Sequence, residues 1–404
     1  MLDIAFIREH KDVVVANCAN RRASVDIDAL LELDEKRRAM ILEIETLRAS
    51  KNKVSKGKPS PEEIVAMKEV GEVVKRKEAE LALIEVDYHA LMQQVPNMTH
   101  PDAPIGEEAD FVVRYTSKEP PAFDFEPKDH ETLLTEKDQV DFERGSKVAG
   151  AKWYFTKGKL VRLNYALLSY GMDILEKHGF TLMETPDVAK ADVLIGAGFI
   201  PRGPETQIYN IEGTDLSMIG TAEITVLGYH ANEILDLSQG PKKYAAISHC
   251  FRTEAGAYGR TSKGLYRVHQ FTKLEMFAFC KPEESEAIHQ EILAIEKEIC
   301  DGLDLSYRVI DIPSADLGGP AYRKYDIEAY MTMKQDFGEV TSTSNCTDYQ
   351  ARRMNIKYRK EDGSLEYVHT LNGTALNTSR FPIAIIEQHQ TKEGNIVYPK
   401  TLQI

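Results

Sequence analysis

Two long stretches near the N-terminus carry mostly apolar residues at alternating spacings of three and four, and this pattern constrains the fold most. The stretches cover residues 30–54 and 67–95. Such spacing, sustained over several heptads, is typical of helices that pair as a coiled coil. A break at residues 55–60 separates them, Pro61 suits the first turn of the second helix, and Pro96 suits its end. The pattern predicts an antiparallel hairpin on the order of 40 to 50 Å long.

A dimerisation coiled coil is the alternative interpretation of the same spacing. The six-residue break favours pairing within one chain, because so short a connection brings consecutive helices side by side.

The charge of the chain is distributed unevenly. There are 50 Lys and Arg against 64 Asp and Glu, a net charge of −14, which argues against general binding to nucleic acids or membrane surfaces. Residues 35–58 nevertheless carry a net charge of +5. An ordinary solvated helix face also explains such a run, but its position toward the tip of a projecting arm favours contact with a phosphate backbone.

Several classes of protein are disfavoured by what the sequence lacks. No apolar run approaches the roughly 18 to 20 residues of a membrane helix, and the N-terminus does not resemble a signal peptide. The five cysteines are scattered without a C-x-x-C pair, which suits free thiols in a reducing cytosol and disfavours a thiolate zinc cluster. Walker, G-x-S-x-G and H-E-x-x-H signatures are absent. We expect a cytoplasmic protein with no membrane partner.

An acidic, turn-rich segment at residues 97–114 predicts a linker, and we place the domains at residues 1–103 and 104–404. Strands that cluster rather than alternate with helices predict an α+β fold with an antiparallel sheet. Amphipathic helices are predicted at about residues 160–178 and 283–302. Short β-rich runs occur at Tyr244–Ile247, Phe271–Phe279, Ser306–Ile310, Ile327–Met333 and Ile383–Glu387.

One segment combines charge, aromaticity and strand periodicity. Alternation from Val268 places His269, Phe271, Lys273 and Glu275 on one face of a strand. A cation, an aromatic ring and a carboxylate on one face can bind a phosphate, stack on a base and bind an amine or a hydroxyl. An exposed sheet face with ordinary salt bridges is the alternative.

Residues 251–256, F-R-T-E-A-G, and 264–275, G-L-Y-R-V-H-Q-F-T-K-L-E, resemble motif 2 of the class II aminoacyl-tRNA synthetases, specifically the seryl-tRNA synthetases. The hairpin resembles the tRNA-binding arm of that family. The resemblance covers essentially the whole chain in order. Further matches are Gly179–Pro186 to motif 1, Thr221–Glu223 to the T-x-E signature, Glu339–Asn345 and Gln350–Arg353 to the strand before motif 3, and Leu371–Glu387 to motif 3.

The resemblance implies the class II antiparallel sheet flanked by helices, with a coiled-coil arm at the N-terminus. It implies an enzyme that activates L-serine with ATP to seryl-adenylate and transfers the seryl group to tRNA(Ser), and to tRNA(Sec) where that tRNA is present. It also implies a homodimer in which the arm of one subunit binds the tRNA charged by the other. Displacement at the α-phosphate by the serine carboxylate needs positioning and charge stabilisation more than a nucleophilic side chain.

For the nucleotide, the resemblance implies that Arg252 bridges the serine carboxylate and the α-phosphate, as a bidentate guanidinium can. Phe271 would stack on adenine, and Arg380 would cover the other face of adenine or bind the γ-phosphate. Glu254 would bind the adenine amino group, and Arg267 would hold the outer phosphates.

The resemblance also implies Mg²⁺ bound by oxygen atoms of Glu339 and Ser342, the ligands that this ion prefers. A strand hydroxyl that merely satisfies the backbone is the alternative for Ser342. Arg252, Glu339 and Arg380 would form the catalytic set. No zinc is expected, because no Cys and His ligand pattern is evident.

For serine, the resemblance implies that Thr221 and Glu223 hold the α-amino group, with Asn372 nearby. Glu275 and Thr374 would bind the side-chain hydroxyl. A buried site built to hydrogen-bond a hydroxyl rejects analogues that lack it, because its own polar groups would be left unpaired.

For tRNA, the resemblance implies that the arm binds the long variable arm through its shape and backbone. Residues 256–264 would form the loop of motif 2, beside the acceptor end. The residues expected to contact tRNA are Arg37, Arg38, Arg48, Lys51 and Lys53 of the arm, and Arg260 and Lys263 of the loop.

Two other functions fit parts of the pattern. A ligase that loads an amino acid onto a carrier protein would lack the long arm, which this chain has. A catalytically inactive paralogue that serves as an RNA-binding scaffold would have lost Arg252, Glu339 or Arg380, and all three are present.

Overall fold

The N-terminal hairpin is present as two long helices. In the computed structural model, which describes residues 1–55, 60–199, 207–254 and 263–404, the short helices α1 (Ile4–Glu9) and α2 (Lys11–Asn20) precede α3 (Ile27–Ser55) and α4 (Pro61–Gln94). Helices α3 and α4 have 29 and 34 residues, so each is roughly 40 to 50 Å long at 1.5 Å per residue. This confirms the predicted coiled-coil arm.

The residues at the predicted seam of the hairpin point inward. Leu30, Ile44, Val74 and Tyr88 are buried, and all four occupy positions of the 3-4 pattern. Their burial between the helices stabilises an arm whose outer faces are charged, because each buried apolar side chain contributes about 1.5–3 kcal/mol. The chain divides by its internal packing into two compact units, Met1–Met98 and Thr99–Ile404.

The second unit is built on one large sheet. Its strands and helices follow one another in a mixed order. The strands are β1 (Val112–Thr116), β2 (Val140–Asp141), β3 (Phe155–Thr156), β4 (Thr181–Glu184), β5 (Val188–Lys190), β6 (Leu216–Met218), β7 (Ile234–Leu235), β8 (Lys242–Phe251), β9 (Gln270–Cys280), β10 (Tyr307–Asp311), β11 (Arg323–Met331), β12 (Asp336–Thr347), β13 (Lys357–Arg359), β14 (Leu365–Tyr367) and β15 (His369–Asn377). The helices are α5 (His130–Glu136), α6 (Phe142–Ala149), α7 (Lys159–Lys177), α8 (Ala191–Ala197), α9 (Ala222–Tyr229), α10 (Ser285–Gly302), α11 (Tyr349–Met354) and α12 (Arg380–Gln388).

The large sheet has the order β1-β10-β11-β12-β15-β9-β8-β4. Neighbouring strands are antiparallel except β4 and β8, which pair in parallel. Helices α7 and α10 cover one face with apolar stripes, to which they contribute Leu163, Leu167, Ile292 and Ile299. The α+β class is confirmed, and the uncovered face near the middle of the sheet is left for a site.

Two β-bulges change which side chains share that face. In β12, Thr341 pairs with Ile327 and Glu339 with the next residue of β11, so Val340 is an extra residue. In β15, Thr374 and Leu376 pair with consecutive residues of β9, so Ala375 is extra. An extra residue reverses the alternation of side chains beyond it.

One predicted strand is wrong. Residues 383–387 lie within the helix α12 rather than in a strand. A short run rich in β-branched residues suggests a strand here, but every residue from Phe381 to Gln388 is buried. An apolar run buried on all sides has no diagnostic period, so tertiary packing decides its conformation.

Among the described residues, none of the helices combines the length and the apolar character that crossing a bilayer requires.

Candidate active site

A cavity of about 390 Å³ lies over the strands β9, β12 and β15. Alternation along β9 directs Phe271, Lys273 and Glu275 into it, as the sequence predicts, whereas His269, predicted on the same face, precedes the strand and is not among the lining residues. The bulges in β12 and β15 add residues that simple alternation would place on opposite faces. The other lining residues that sequence reasoning singled out are Thr221, Glu223, Arg252, Glu254, Arg267, Glu339, Ser342, Asn372, Thr374 and Arg380.

One end of the cavity holds a continuous chain of polar contacts that links β9 to β15 and to Thr221, the residue that caps α9. Lys273 donates to the Thr221 hydroxyl at 2.8 Å and forms an ion pair with Glu275. Thr374 donates to Glu275 at 3.1 Å. All four side chains are buried, and buried polar groups are retained only where they are paired. This end of the cavity therefore presents a small polar pocket whose geometry is held by its own hydrogen bonds.

Glu223 borders the same pocket from the first turn of α9. Its Oε1 accepts hydrogen bonds from Gln350 at 2.6 Å and from Asn372 at 3.1 Å. Burial raises the pKa of Glu223 to about 7, and the nearby charge of Glu275 adds to this effect. Such a carboxylate favours binding of a cationic group, because a positive charge would offset both the cost of burial and the repulsion from Glu275.

Arg252 follows β8 directly, and its position is set by the pairing of β8 with β9. Its guanidinium carbon lies 5.3 Å from the centre of the Phe271 ring. The guanidinium nitrogens Nε and Nη2 approach the Gly220 carbonyl only at 3.4 Å. These long contacts leave a planar cation facing the cavity between the polar pocket and the aromatic ring.

Arg380, at the start of α12, closes the other end of the cavity. Its guanidinium binds the Glu339 carboxylate at 2.8 Å and lies 4.8 Å from the centre of the Tyr266 ring. Asn377 accepts a hydrogen bond from the Arg380 N–H at 2.8 Å, which fixes the beginning of the helix. The side chain is therefore held by a carboxylate, a ring and a capped helix.

The residues expected to hold Mg²⁺ lie on the same face of β12 because of the bulge at Val340. Partial burial opposes the charge of Glu339, but the cations Arg380 and Lys324 outweigh it and lower its pKa to about 2. The site thus offers an ionised carboxylate and the hydroxyl of Ser342. Mg²⁺ is usually held by one or two protein groups together with substrate phosphates, so these two side chains fit it.

Glu254 and Arg267 meet beside the cavity rather than standing apart. Arg267 Nη1 lies 3.4 Å from Glu254 Oε2. The backbone of Glu254 has a φ of 47°, in the left-handed region. Both residues line the cavity.

The arm residues singled out for tRNA are placed on α3. Arg37 pairs with Glu85 at 3.2 Å, Arg48 with Glu78 at 2.5 Å, and both contacts cross from α3 to α4. Arg38 pairs with Asp34, one turn away, at 2.9 Å, and Lys51 is exposed. Lys263 is also exposed. The side chain of Lys53 and all of Arg260 lie outside the described residues.

Sequence reasoning left several residues of this site unassigned. Alternation predicts the face of Lys273 correctly and suggests a cation for a phosphate, but its ammonium group is bound to Glu275 and Thr221. Gln350, which lies within the stretch before motif 3, supports Glu223. Asn377 and Tyr266 hold Arg380, and no spacing in the sequence links either of them to it.

Comparisons with known proteins find family models that match both units of the chain. The family model for the seryl-tRNA synthetase N-terminal domain matches residues 1–99. The model for the tRNA synthetase class II core domain (G, H, P, S and T) matches residues 208–389.

The chain belongs to the seryl-tRNA synthetase family. The serine–tRNA ligase of Treponema denticola is 49% identical, with 100% of this chain and 98% of the relative covered. The serine–tRNA ligase of Rubrobacter xylanophilus is 47% identical, with 100% and 97% covered.

Solved structures of the seryl-tRNA synthetase family share the whole fold. The enzyme of Pyrococcus horikoshii complexed with ATP aligns with a TM-score of 0.91 at 36% identity, covering 100% of this chain and 97% of that one. The cytoplasmic enzyme of Naegleria fowleri in complex with AMP aligns with a TM-score of 0.85 at 30% identity, covering 100% and 96%. The likeness extends over both units of the chain.

Proposed function

We propose that this chain is a serine–tRNA ligase, which activates L-serine with ATP to seryl-adenylate and then transfers the seryl group to tRNA. The observation that carries the proposal is the division of one cavity into a small buried polar pocket and a larger cationic and aromatic end, with Arg252 between them. The relatives named serine–tRNA ligases and the solved relatives complexed with ATP and AMP support it.

The pocket formed by Glu275, Thr374 and Lys273 suits the serine hydroxyl. Glu275 already accepts a hydrogen bond from Thr374 and pairs with Lys273, and its carboxylate can accept a further hydrogen bond from the serine hydroxyl. Alanine would leave this buried network short of one partner. A site built in this way can discriminate by about 10⁴-fold or more against an analogue that lacks the hydroxyl.

The α-amino group of serine would lie against Glu223, whose carboxylate is held by Gln350 and Asn372. Thr221 accepts hydrogen bonds from Lys273 and from the Glu223 N–H at 3.2 Å. Thr221 thus orients both groups around the bound amino acid. The serine carboxylate then points toward Arg252.

Arg252 binds the two anions that must meet, the serine carboxylate and the α-phosphate. The carboxylate oxygen attacks phosphorus, the bond to the bridging oxygen breaks, and pyrophosphate leaves with the electron pair. Phe271 provides a stacking face for adenine, and Arg267 and Arg380 neutralise charge on the outer phosphates. Holding the reactants in line and stabilising developing charge supply the rate enhancement.

Mg²⁺ bound at Glu339 and Ser342 would neutralise charge on the phosphate oxygens of ATP. Arg380 is bound to Glu339 in this structure, so it would keep the carboxylate ionised and oriented toward those oxygens. The second step needs the terminal ribose hydroxyl of tRNA to approach the seryl carbonyl from the open side of the cavity.

We assign the arm of residues 27–94 to tRNA binding, together with Lys263 beside the cavity. We further propose a homodimer in which the arm of one subunit serves the cavity of the other. The net charge of +5 between residues 35 and 58 and the match to the family's N-terminal domain support the first assignment. The dimer rests on the family alone.

A two-stage assay tests the proposal. The purified chain should catalyse exchange of pyrophosphate into ATP only when serine is present, and should then attach serine to tRNA(Ser). Alanine, threonine and cysteine serve as control amino acids. Exchange of pyrophosphate that does not depend on serine would refute the proposed ligase activity. Binding of tRNA without any exchange would also refute it and would favour a catalytically inactive RNA-binding scaffold.

A further inference from the structure

Behind the polar pocket, on the opposite face of the sheet, lies a second carboxyl group, that of Glu296. It projects from α10 toward β12 and β15 and is completely buried, with 0% of its surface exposed. A buried ionised carboxylate without a paired cation is very costly. The described residues offer it no ion pair, so its contacts decide its charge state.

The hydrogen-bond donors and acceptors around Glu296 indicate its charge state. Thr341 Oγ1 bonds to the backbone carbonyl of Thr374 and also lies 3.2 Å from Glu296 Oε1. The carbonyl can only accept, so it takes the single hydroxyl proton of Thr341. The contact between Glu296 and Thr341 is then a hydrogen bond only if the carboxyl group is protonated and donates to Thr341.

The other carboxyl oxygen of Glu296 leads to the same conclusion. Oε2 is fully buried and has no hydrogen-bond partner among the described residues. Leaving the carbonyl oxygen of a neutral carboxylic acid without a hydrogen bond costs much less than leaving a charged carboxylate oxygen without one. Burial raises the pKa of Glu296 well above its usual value; Glu275 of β9 and Asp326 of β11 add to this effect, and Lys273 opposes it.

Glu296 also touches the backbone of β15. A Cβ atom on Gly373 would lie 2.7 Å from Glu296 Oε1 and 2.5 Å from the Ile292 side chain. The glycine therefore allows a close approach of α10 to the strand between Asn372 and Thr374. These two neighbours of Gly373 both line the serine pocket on the opposite face.

Regular pairing of β12 with β15 ends close to this point. Thr343 pairs with Gly373, and no further pair continues toward Thr374 among the described residues. The hydroxyl of Thr341 replaces the missing backbone bond, next to the bulge at Ala375. The orientation of Thr374 thus depends on a side-chain contact that Glu296 supports.

We propose that Glu296 is a positioning residue for serine recognition: its neutral carboxyl group, acting through Thr341 and Gly373, holds Thr374 in the orientation that binds the serine hydroxyl. This inference rests on the proposed function of the pocket and adds a residue that touches no substrate. It acts only on the serine end of the cavity.

Three variants and one control test it by the KM values for serine and ATP in pyrophosphate exchange. Glu296→Gln donates an amide N–H to Thr341 and should keep the serine KM within about threefold of the parent. Glu296→Ala and Thr341→Val should each raise the serine KM at least about tenfold and change the ATP KM less than about twofold. Glu291→Gln, on the same helix, should leave both values unchanged.

The outcomes separate this inference from the proposed function. A parent enzyme without serine-dependent exchange would contradict the proposed function itself. With an active parent, the inference fails if Glu296→Gln is as impaired as Glu296→Ala, or if both KM values rise together. If Glu296→Ala does not fold, judged by its circular dichroism, the contrast between Glu296→Gln and Thr341→Val decides.

Discussion

Three buried or partly buried glutamates in this unit differ in charge because their neighbours differ. Glu339 meets the cations Arg380 and Lys324, and its pKa falls to about 2. Glu223 accepts amide N–H bonds but also faces Glu275, and its pKa rises to about 7. Glu296 has no paired cation among the described residues, and burial raises its pKa well above the usual value. At the residue scale, the partners of a carboxyl group, rather than burial alone, decide what it can bind.

Glu275 is the residue on which serine selectivity should depend most directly. We expect Glu275→Ala to lower kcat/KM for serine by about 100-fold or more, because the hydroxyl loses a charged acceptor and Lys273 and Thr374 lose their common partner. The affinity for ATP, measured by equilibrium binding, should change far less. Unchanged serine dependence of exchange in the variant would contradict the assignment.

The raised pKa of Glu223 predicts a pH dependence. If the ionised carboxylate of Glu223 binds the serine ammonium, as we propose, protonation as the pH falls below about 7 removes the form that binds serine. We expect kcat/KM for serine in pyrophosphate exchange to rise with pH up to about 7 and then to level off.

Glu223→Gln provides the control, because an amide does not titrate. Its kcat/KM for serine should be low and should lack this acid limb between about pH 5.5 and 8. An acid limb of unchanged position in the variant would assign the titration to another group, such as Asp326.

At the element scale, the bulges in β12 and β15 determine which groups meet in the site. Glu339 and Ser342 are three residues apart, a spacing that regular alternation assigns to opposite faces. The extra residue Val340 brings them to one face, and Ala375 does the same for Thr374 and Asn377. Bulges next to functional sites commonly redirect side chains in this way.

The hairpin is the other element with a separable role. We expect a variant in which residues 41–81 are replaced by a short glycine-rich turn to keep serine-dependent exchange within about twofold and to lose tRNA charging by about 100-fold or more, because the proposed function assigns most phosphate contacts to the arm. The base of the arm, with Arg37, Glu85 and Tyr88, remains in place. Parallel loss of exchange would show that the arm and the cavity are not independent.

At the scale of the whole molecule, the net charge of −14 conceals a segregated distribution. Residues 35–58 carry +5, so the rest of the chain carries −19. We expect the acidic remainder of the chain to discourage unspecific association with RNA, and the basic segment of residues 35–58 to attract one class of tRNA by its shape and backbone.

This segregation predicts different responses of the two steps to salt. Between about 50 and 200 mM salt, the KM for tRNA should rise by about tenfold or more, whereas the KM for serine should change little. Lys51→Gln should reduce the slope of log KM for tRNA against log salt by about one. A slope that is the same for both substrates would place the tRNA contacts outside the basic segment of residues 35–58.

Local pattern alone predicted the hairpin, the helices near residues 160–178 and 283–302, and the face of β9 that lines the cavity. These features follow from a period of 3.6 or 2, which any short window of sequence displays. The tertiary structure decided what depends on residues far apart: the helix at residues 380–388, the two bulges, and the contacts of Glu296 with Thr341 and Gly373. Charge state and strand register arise only when distant side chains share a buried space, since burial and partners are properties of the packed fold.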